Sequence, residues 1–377
     1  MKILWIPHTG WHIHQRAHLF CRPLSDRHEI HVTDWVADFS SVRDYLSKRY
    51  FRNFVYRVYR DGNILVHGIP RLSPALYFPR LRRLNERIYS RYVNRIIDRH
   101  DIQVVVGTFV VPPPQADRLI FDLFDENVTR WVAQAPEYAR EIDINERSYL
   151  KQADVVVAAS TVLSDKAKDL GASCPVVHIP NGIEIERYRH DSYVGFRQKL
   201  GIQGKIVGTI GNHDNIAEVE KILEIAAIFP DDSVTFIVAG RGAAIPKAML
   251  AARRQGLRNL IFTGAFKPAE TPAIVSAFDV GLCPYDISPM DDARTPIRLL
   301  AYAAAGVPAV CSDLKEVRRM NLPNTLVVDD SPTHFVAGIQ RALMLPRKAL
   351  QQIQSYDLNE LVPRYERILL GELGSEA

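Results

Sequence analysis

Short apolar runs alternate with segments of helical periodicity along the whole chain. Apolar, β-branched runs of four to eight residues are typical of buried strands, whereas apolar residues three and four apart are typical of helices. In the first half, strand-type runs occupy residues 2–7, 29–35, 64–69, 103–108, 118–125, 154–160 and 175–182. Helical periodicity is clear at 42–58 and 81–97. The alternation predicts a parallel sheet covered by helices on both faces.

A second series of the same kind follows "IPNGIEIERYRHDS". Strand-type runs occupy residues 205–211, 234–242, 260–266, 280–285, 307–312 and 325–330, and helices are predicted over 216–228, 269–277, 296–305 and 332–343. We therefore expect an α/β chain with two doubly wound, Rossmann-like domains and a linker near 183–200. Ligands of such domains bind at the carboxyl ends of the strands and in the cleft between two domains, so function is sought in strand-to-helix turns.

Composition narrows the class of protein. With 377 residues, 47% apolar and 24% charged, the chain is typical of a soluble globular protein. Its apolar runs stop well short of the ~20 residues that a spanning helix needs, and its N-terminus lacks the pattern of a secretory signal. The four cysteines are widely spaced without a C-x-x-C pair, which favours reduced thiols and argues against a zinc site. We expect a cytoplasmic protein.

Positive charge is concentrated between Arg43 and Arg99. This region holds 14 Arg and Lys against 4 Asp and Glu, and it is rich in Tyr and Phe. Such a stretch suits an anionic surface, either lipid headgroups at the inner membrane face or nucleic acid. It contains no nucleic-acid-binding motif, so lipid ranks above nucleic acid. The alternative is two amphipathic helices with solvated basic faces.

Three turns of the second half carry candidate chemistry. In "GTIGNHDN" (208–215) a strand ends at Gly211 before a helix, an arrangement whose backbone amides suit a phosphate. "DVGLCPYD" ends a strand at Pro284 and Tyr285 before a polar loop that reaches Arg294, which fits a substrate-facing loop or an acidic surface loop. Neither an ATPase phosphate loop nor a dinucleotide-binding fingerprint is present.

The third turn is "TPIRLLAYAAAGVPAV" at 295–310. Thr295 can cap the helix, Pro296 suits its first position, and Arg298 lies in its first turn. A cation there opposes the helix dipole, which makes sense if Arg298 holds an anion such as phosphate through its planar donor fork. The alternative is an Arg298 paired with Asp291 or Asp292.

The order of motifs resembles the GT-B glycosyltransferases of the retaining family-4 type. The resemblance lies in "PNGIE", "GTIGN", "VTFIVAGRG", "NLIFTGAF", "ETPAIVSAFDVGLCPY" and "TPIRLLAYAAAGVPAVCS", and it covers about residues 100–370 well. It implies an acceptor-binding domain at 1–183, a nucleotide-sugar-binding domain at 184–355 and a terminal helix, 356–377, that packs back on the first domain.

The resemblance also implies the site. Arg298 falls where the family has a Lys contacting the diphosphate, and "FDLFDEN" (121–127) falls on the acceptor side. The residues expected around the donor are Gly10, Gly211, Asn212, His213, Arg241, Phe266, Pro284, Tyr285, Asp286, Arg294, Thr295, Pro296 and Arg298. The chain departs from the family pattern at Ala293 and Ala301, where the family carries two glutamates, the second usually holding the ribose hydroxyls. Asp286 and Asp291 are the candidate replacements.

The expected reaction is glycosyl transfer of the hexosyl type from a nucleotide-diphosphate sugar to an acceptor hydroxyl, with retention. The donor is a co-substrate, and neither a cofactor nor a metal is expected; Arg298, backbone amides and helix dipoles stabilise the leaving diphosphate. If transfer inverts, His12, Asp122 or Asp125 would serve as base. The acceptor is expected to be a glycan, a lipid-linked intermediate or another anionic molecule. The alternatives are a degenerate nucleotide-sugar-binding module, a nucleic-acid-modifying glycosyltransferase, or a sugar-nucleotide epimerase or hydrolase.

Overall fold

Two parallel sheets organise the chain. The computed structural model of the protein describes residues 1–35, 54–73, 75, 78–188, 195–231, 233–348 and 351–372. The chain divides into a first unit, Met1–Pro180 with Leu361–Ala377, and a second unit, Asn181–Glu360. The predicted α/β fold with two parallel-sheet domains is confirmed.

The described residues of the first unit form an eight-stranded sheet in the order β3-β4-β2-β1-β5-β6-β7-β8. Its strands are β1 (Lys2–Trp5), β2 (Glu29–Asp34), β3 (Arg57–Asp61), β4 (Ile64–Gly68), β5 (Val104–Gly107), β6 (Arg118–Leu123), β7 (Val155–Ala158) and β8 (Val176–His178). Every pairing is parallel except that of the edge strand β3, which folds back on β4. The strands β1, β5 and β7 are buried almost throughout, as apolar runs predict.

Helices cover this sheet. They are α1 (Arg16–Leu24), α2 (Pro79–His100), α3 (Asn127–Val132), α4 (Pro136–Gln152), α5 (Thr161–Asp169) and, at the chain end, α14 (Leu358–Leu370). From Leu361 onward α14 belongs to the first unit. Its Tyr365 is fully buried, and the ring packs 5.2 Å from Trp5 and 4.6 Å from Phe20.

The described residues of the second unit form a six-stranded, all-parallel sheet in the order β11-β10-β9-β12-β13-β14. Its strands are β9 (Lys205–Asn212), β10 (Val234–Arg241), β11 (Leu260–Gly264), β12 (Val280–Cys283), β13 (Ala309–Ser312) and β14 (Thr325–Val328). The helices are α6 (Gly195–Leu200), α7 (Ile216–Ile228), α8 (Ile245–Gln255), α9 (Thr271–Ser276), α10 (Pro289–Asp292), α11 (Ile297–Ala304), α12 (Lys315–Met320) and α13 (Pro332–Ala342). The central strand β9 therefore ends between the ends of β10 and β12.

The predicted helix at 42–58 can be compared with the structure only from residue 54 onward. Residues 36–53 lie outside the described part of the chain. Most of the predicted helix, and the part of the basic region before residue 54, therefore lie outside the described residues. Val58, predicted at the end of that helix, instead lies in β3, where its segment pairs with the run Ile64–Gly68 across a turn at Gly62. The helix predicted at 81–97 is present as α2. Within the described residues, no helix is long and apolar enough to cross a bilayer.

Candidate functional site

The carboxyl ends of β9 and β10 pack backbone against backbone because glycines occupy both. Gly240 has φ +139°, and a Cβ there would lie 1.9 Å from the carbonyl oxygen of Gly211. A Cβ on Gly242, whose φ is +157°, would lie 2.2 Å from the carbonyl of His213. Any larger side chain would push the two strand ends apart. The predicted turn residues Gly211 and His213 thus form one surface with the end of β10.

Arg298 reaches this surface from the first turn of α11. Its side chain is 11% exposed, and its Nη2 lies 3.5 Å from the position that a Cβ on Gly211 would take. Nη1 donates to Thr209 Oγ1 at 3.4 Å, and the guanidinium carbon lies 4.7 Å from the centroid of the Tyr285 ring. The donor fork is therefore held at the carboxyl ends of β9 and β12, where parallel sheets bind ligands.

The start of α11 differs from the prediction. The helix begins at Ile297, and Pro296 is its N-cap, with extended backbone and no side-chain cap hydrogen bond. The carbonyl of Pro296 accepts from the amides of Leu299 and Leu300, while the carbonyl of Thr295 accepts from Asn181 Nδ2 at 3.2 Å. The predicted capping by Thr295, with Pro296 at the first helical position, is therefore wrong.

A buried carboxylate, Glu218 of α7, faces the guanidinium of Arg298. Its Oε2 lies 3.6 Å from Arg298 Nη1, and its side chain is 8% exposed. Burial raises the pKa of the Glu218 carboxyl, and the attraction of Arg298 and Arg294 offsets this only in part. Glu218 is the partner of Arg298, so the sequence-based pairing of Arg298 with Asp291 or Asp292 is wrong.

Sequence reasoning missed Glu218 because an acid in the first turn of a helix is ordinary. A signal was nevertheless present. Glu218 stands four residues before Ile222 and eight before Ala226, which are buried positions of α7, so it lies on the face that α7 turns to the core.

Arg294 and Tyr285 extend the charged cluster. Arg294 Nη1 pairs with Asp291 Oδ1 at 3.0 Å, and its guanidinium carbon lies 5.4 Å from the centroid of the Tyr285 ring. Tyr285 therefore has two guanidinium groups within the ~6 Å range of cation–π attraction. Burial, the largest influence, raises the pKa of the Tyr285 hydroxyl.

Asp286 is tied to the start of α7. It accepts from Asn215 Nδ2 at 2.6 Å and lies 3.5 Å from Lys221 Nζ. Lys221 also donates to the carbonyl of Tyr285 at 3.1 Å. These contacts connect the loop after β12 to α7.

His213 is buried and neutral. Its Nε2 donates to the carbonyl of Ala239 at 3.2 Å, and within the described residues its Nδ1 has no hydrogen-bond partner. Burial, with a smaller effect from Arg298, lowers the pKa of the imidazole to about 4. His213 therefore offers an acceptor nitrogen at neutral pH.

Residues 204–344, which contain the ends of β9, β10 and β12, match the family model described as "Glycosyl transferases group 1". This segment is a glycosyl transferase group 1 domain. The predicted resemblance to GT-B glycosyltransferases is confirmed.

One relative of the chain is TuaH of Bacillus subtilis (strain 168), named as a teichuronic acid biosynthesis glycosyltransferase. It is 29% identical over 240 residues, and the match spans 60% of this chain and 59% of the length of TuaH.

Two solved structures share the fold. The sucrose-phosphate synthase of Thermosynechococcus elongatus has a TM-score of 0.76 at 14% identity, with 98% of both chains covered. The Anabaena protein Alr3699/HepE, solved with UDP and glucose, has a TM-score of 0.71 at 16% identity, with 98% of this chain and all of that chain covered. The fold is that of the GT-B glycosyltransferases.

The other predicted donor residues line the same edge of the group 1 domain. Pro284 is buried at the end of β12, and Phe266, after β11, packs on the apolar cluster that contains α11. Asn212 and Arg241 are exposed at the ends of β9 and β10.

The two alanines at which we expected a departure from the family pattern are sealed from solvent. Ala293 is 3% exposed and Ala301 is 1% exposed, and Ala301 lies in an apolar cluster with Leu300 and Tyr302. A carboxylate is nevertheless present beside Arg298, supplied by Glu218 from another helix.

The first-unit candidates are separate from the group 1 domain in sequence and are described by themselves. Gly10 is buried, and a Cβ there would lie 2.4 Å from the carbonyl oxygen of Trp35, whereas His12 is exposed. Asp125 is half-buried and accepts from the amide of Glu126 at 3.0 Å. Asp122, the other candidate base, is 2% exposed and pairs with Arg16 at 3.0 Å, which favours a structural role for it.

Proposed function

We propose that the protein transfers a sugar from a nucleotide-diphosphate donor to an acceptor hydroxyl. The observation that carries this proposal is the buried guanidinium of Arg298, which lies against Gly211 at the carboxyl ends of β9 and β12 of a group 1 domain. A planar donor fork suits a diphosphate better than a point charge does. The HepE structure was solved with UDP, which supports a uridine nucleotide sugar as the donor to be tested first.

Arg298 would stabilise the charge that develops on the leaving diphosphate. In the proposed step, the bond between the anomeric carbon and the phosphate oxygen breaks while the acceptor oxygen bonds to the same carbon. The acceptor attacks from the same face that the phosphate leaves, so the configuration is retained, and its proton passes to the leaving phosphate, so no side-chain base is required. Backbone amides at the end of β9 and the start of α7 would share the charge.

A donor panel with a matched variant pair tests the proposal. The wild-type chain, Arg298→Met and Arg253→Met are each titrated with nucleoside diphosphates and nucleotide sugars, with thermal shift and sugar release as readouts. Arg253 is an exposed arginine of α8 in the same unit. We expect at least one donor to bind wild type and Arg253→Met, and Arg298→Met to lose ~10- to 100-fold in affinity, the value of a charge-assisted hydrogen bond.

Each outcome has a clear meaning. Failure of every donor to bind wild type would favour a degenerate module, and unchanged turnover by Arg298→Met would remove Arg298 from the site. Nuclear magnetic resonance of the product reports the anomeric configuration, so inversion would overturn the retaining step. Sugar release without an acceptor, at a rate equal to that with one, would favour a hydrolase or an epimerase.

For the acceptor, we propose a lipid-linked anionic glycan presented at an anionic membrane surface. The support is α2, whose 22 residues extend ~33 Å and carry a row of exposed arginines three or four apart. The row consists of Arg80, Arg83, Arg87, Arg91, Arg95 and Arg99. The name of TuaH associates that relative with teichuronic acid, an acidic glycan, which supports an anionic acceptor here.

Vesicle sedimentation tests the surface part of this proposal. Each arginine near an anionic surface contributes ~1 kcal/mol, so Arg91→Glu with Arg95→Glu is expected to weaken binding to phosphatidylglycerol vesicles at least 30-fold. Arg253→Glu with Arg254→Glu carries the same change of charge on α8 and is expected to bind like wild type. Equal binding by both double variants, or binding that is insensitive to salt, would refute a contact through α2.

A further inference from the structure

Three imidazoles from separate elements of the first unit meet at one place. His31 lies on β2, His67 on the adjacent β4, and His100 is the last residue of α2. One ring nitrogen of each lies within 4.8 Å of the other two. His31 and His67 have no exposed surface, and His100 is half-buried. This triad belongs to neither the donor domain nor the arginine row.

The two buried rings are oriented by partners on their far sides. His31 Nε2 lies 2.9 Å from Glu29 Oε1, and His67 Nδ1 lies 2.7 Å from the Tyr56 hydroxyl. Their other nitrogens, His31 Nδ1 and His67 Nε2, face each other at 2.8 Å. Metal-bound histidines are held in this way, with the second ring nitrogen bonded to a carboxylate or another oxygen that fixes the tautomer.

The rings are also neutral, as metal ligation requires. Burial, followed by the neighbouring imidazoles, lowers the pKa of His67 to about 3, and burial lowers the pKa of His31. Both rings therefore keep a lone pair at neutral pH. Within the described residues, no hydrogen bond is made to the ring of His100, whose centroid lies 4.6 Å from that of His31 and 5.3 Å from that of His67.

We propose that His31, His67 and His100 form a binding site for a divalent transition metal of the zinc class. Three imidazoles suit Zn²⁺, with a fourth position for water or another oxygen. Ligand nitrogens at 2.0–2.1 Å from a tetrahedral ion are ~3.3 Å apart, so the 2.8 Å separation opens by about half an ångström on loading. Of the three histidines, only His100 has exposed surface.

The site would join β2, β4 and the end of α2, and its occupancy would therefore stabilise the first unit. No zinc site was predicted from the sequence, because the cysteines lack metal-ligand spacing. The three histidines are 36 and 33 residues apart along the chain, a spacing that matches no short metal-binding motif.

Chelator-treated full-length protein, titrated with Zn²⁺ and separately with Co²⁺, tests the proposal. The readouts are metal bound per chain, the midpoint of thermal unfolding, and the visible absorption of Co²⁺, which reports tetrahedral ligation. We expect one ion per chain, a raised midpoint and tetrahedral bands. His67→Ala and His100→Ala are expected to lose binding at least 100-fold, and Glu29→Gln 10- to 100-fold. His334→Ala removes an exposed histidine of α13 and is expected to bind like wild type.

His100→Ala guards against misfolding of the more buried variant. His100 is the least buried of the three, so His100→Ala tests ligation even if His67→Ala fails to fold. Absence of binding by wild type, or equal binding by wild type and His100→Ala, would overturn the proposal. Absence of binding by wild type would identify Tyr56, His67, His31 and Glu29 as a hydrogen-bonded chain without a metal, whereas equal binding by His100→Ala would place the metal elsewhere in the protein.

Discussion

Replacing Arg298 by methionine isolates the buried ion pair with Glu218. The charged atoms are 3.6 Å apart, and the two side chains are 11% and 8% exposed. At an effective dielectric constant of 20, their attraction is ~5 kcal/mol. Removing one member of a buried pair costs about 3–5 kcal/mol, because the other charge is left buried. We expect Arg298→Met to lower the free energy of unfolding by this amount at pH 8.

The loss of unfolding free energy in Arg298→Met should depend on pH, because Glu218 can be protonated. Burial raises the pKa of the Glu218 carboxyl in the folded state. Below about 4.5, its pKa in the unfolded chain, the carboxyl is neutral in both states. The free energy of unfolding therefore falls as the pH rises from there through the folded pKa. Without Arg298, the pKa rises further. The deficit of Arg298→Met is therefore expected to shrink toward pH 5, and Glu218→Gln in the same chain is expected to restore most of the lost stability.

Urea unfolding followed by two probes provides the assay. The tryptophans Trp5, Trp11, Trp35 and Trp131 all lie in the first unit, whereas far-ultraviolet circular dichroism reports both units. We expect the dichroism transition of Arg298→Met to move, and hydrogen exchange to accelerate in α7 and α11. A double-mutant cycle with a coupling energy below about 0.5 kcal/mol would refute the argument, as would a deficit that grows toward pH 5.

Three further predictions concern the same unit. Ala301→Glu places a carboxylate in an apolar cluster, so we expect a loss of about 3 kcal/mol in stability and no gain in donor affinity. The buried imidazole of His213 has a pKa of about 4 against 6.5 when unfolded, so it contributes stability above pH 6.5 that is lost toward acid, ~2 kcal/mol at pH 5; His213→Gln is expected to remove this loss from acid-unfolding curves. Gly240→Ala is expected to cost about 3 kcal/mol or more in urea unfolding, through its positive φ and its contact at 1.9 Å.

Matched variants accompany these predictions. Ala337→Glu introduces the same charge at an exposed position of α13, His334→Gln removes an exposed histidine, and Gly256→Ala adds a Cβ in open space at φ +68°. Of these three, only Gly256→Ala is expected to lower the free energy of unfolding, by about 1–2 kcal/mol, because of its positive φ. Tighter donor binding by Ala301→Glu would contradict the first prediction. An acid-unfolding curve of His213→Gln that matches wild type would contradict the second. Equal losses of unfolding free energy in Gly240→Ala and Gly256→Ala would contradict the third.

The strands were predictable because a buried parallel strand carries a continuous apolar run, a signal that needs no knowledge of its neighbours. Strand β3 was not predictable in this way. Its residues Arg57–Asp61 are mostly exposed at an edge, and only pairing with β4 makes them a strand. Its apolar Val58 therefore fitted a helical period equally well.

Candidate residues were predictable where they stand in a strand-to-helix turn that can be recognised from a single segment of sequence. Gly211 and Arg298 stand in such segments, and the structure brings them together. Glu218 and the imidazole triad depend on side chains that meet only after folding. Periodicity places Glu218 on the core face of α7, but it does not identify the cation opposite.

If the proposed donor binds at Arg298, the pair Arg298–Glu218 would couple nucleotide binding to protonation. A diphosphate on the guanidinium would bring negative charge to a carboxyl whose pKa is already raised. Glu218 would then take up a proton as the donor enters and release it as the nucleoside diphosphate leaves. Calorimetry in two buffers of different ionisation enthalpy would detect this proton, and Glu218→Gln would abolish the difference between the buffers. The local proton concentration would thus help to set how tightly the proposed site holds the nucleoside diphosphate.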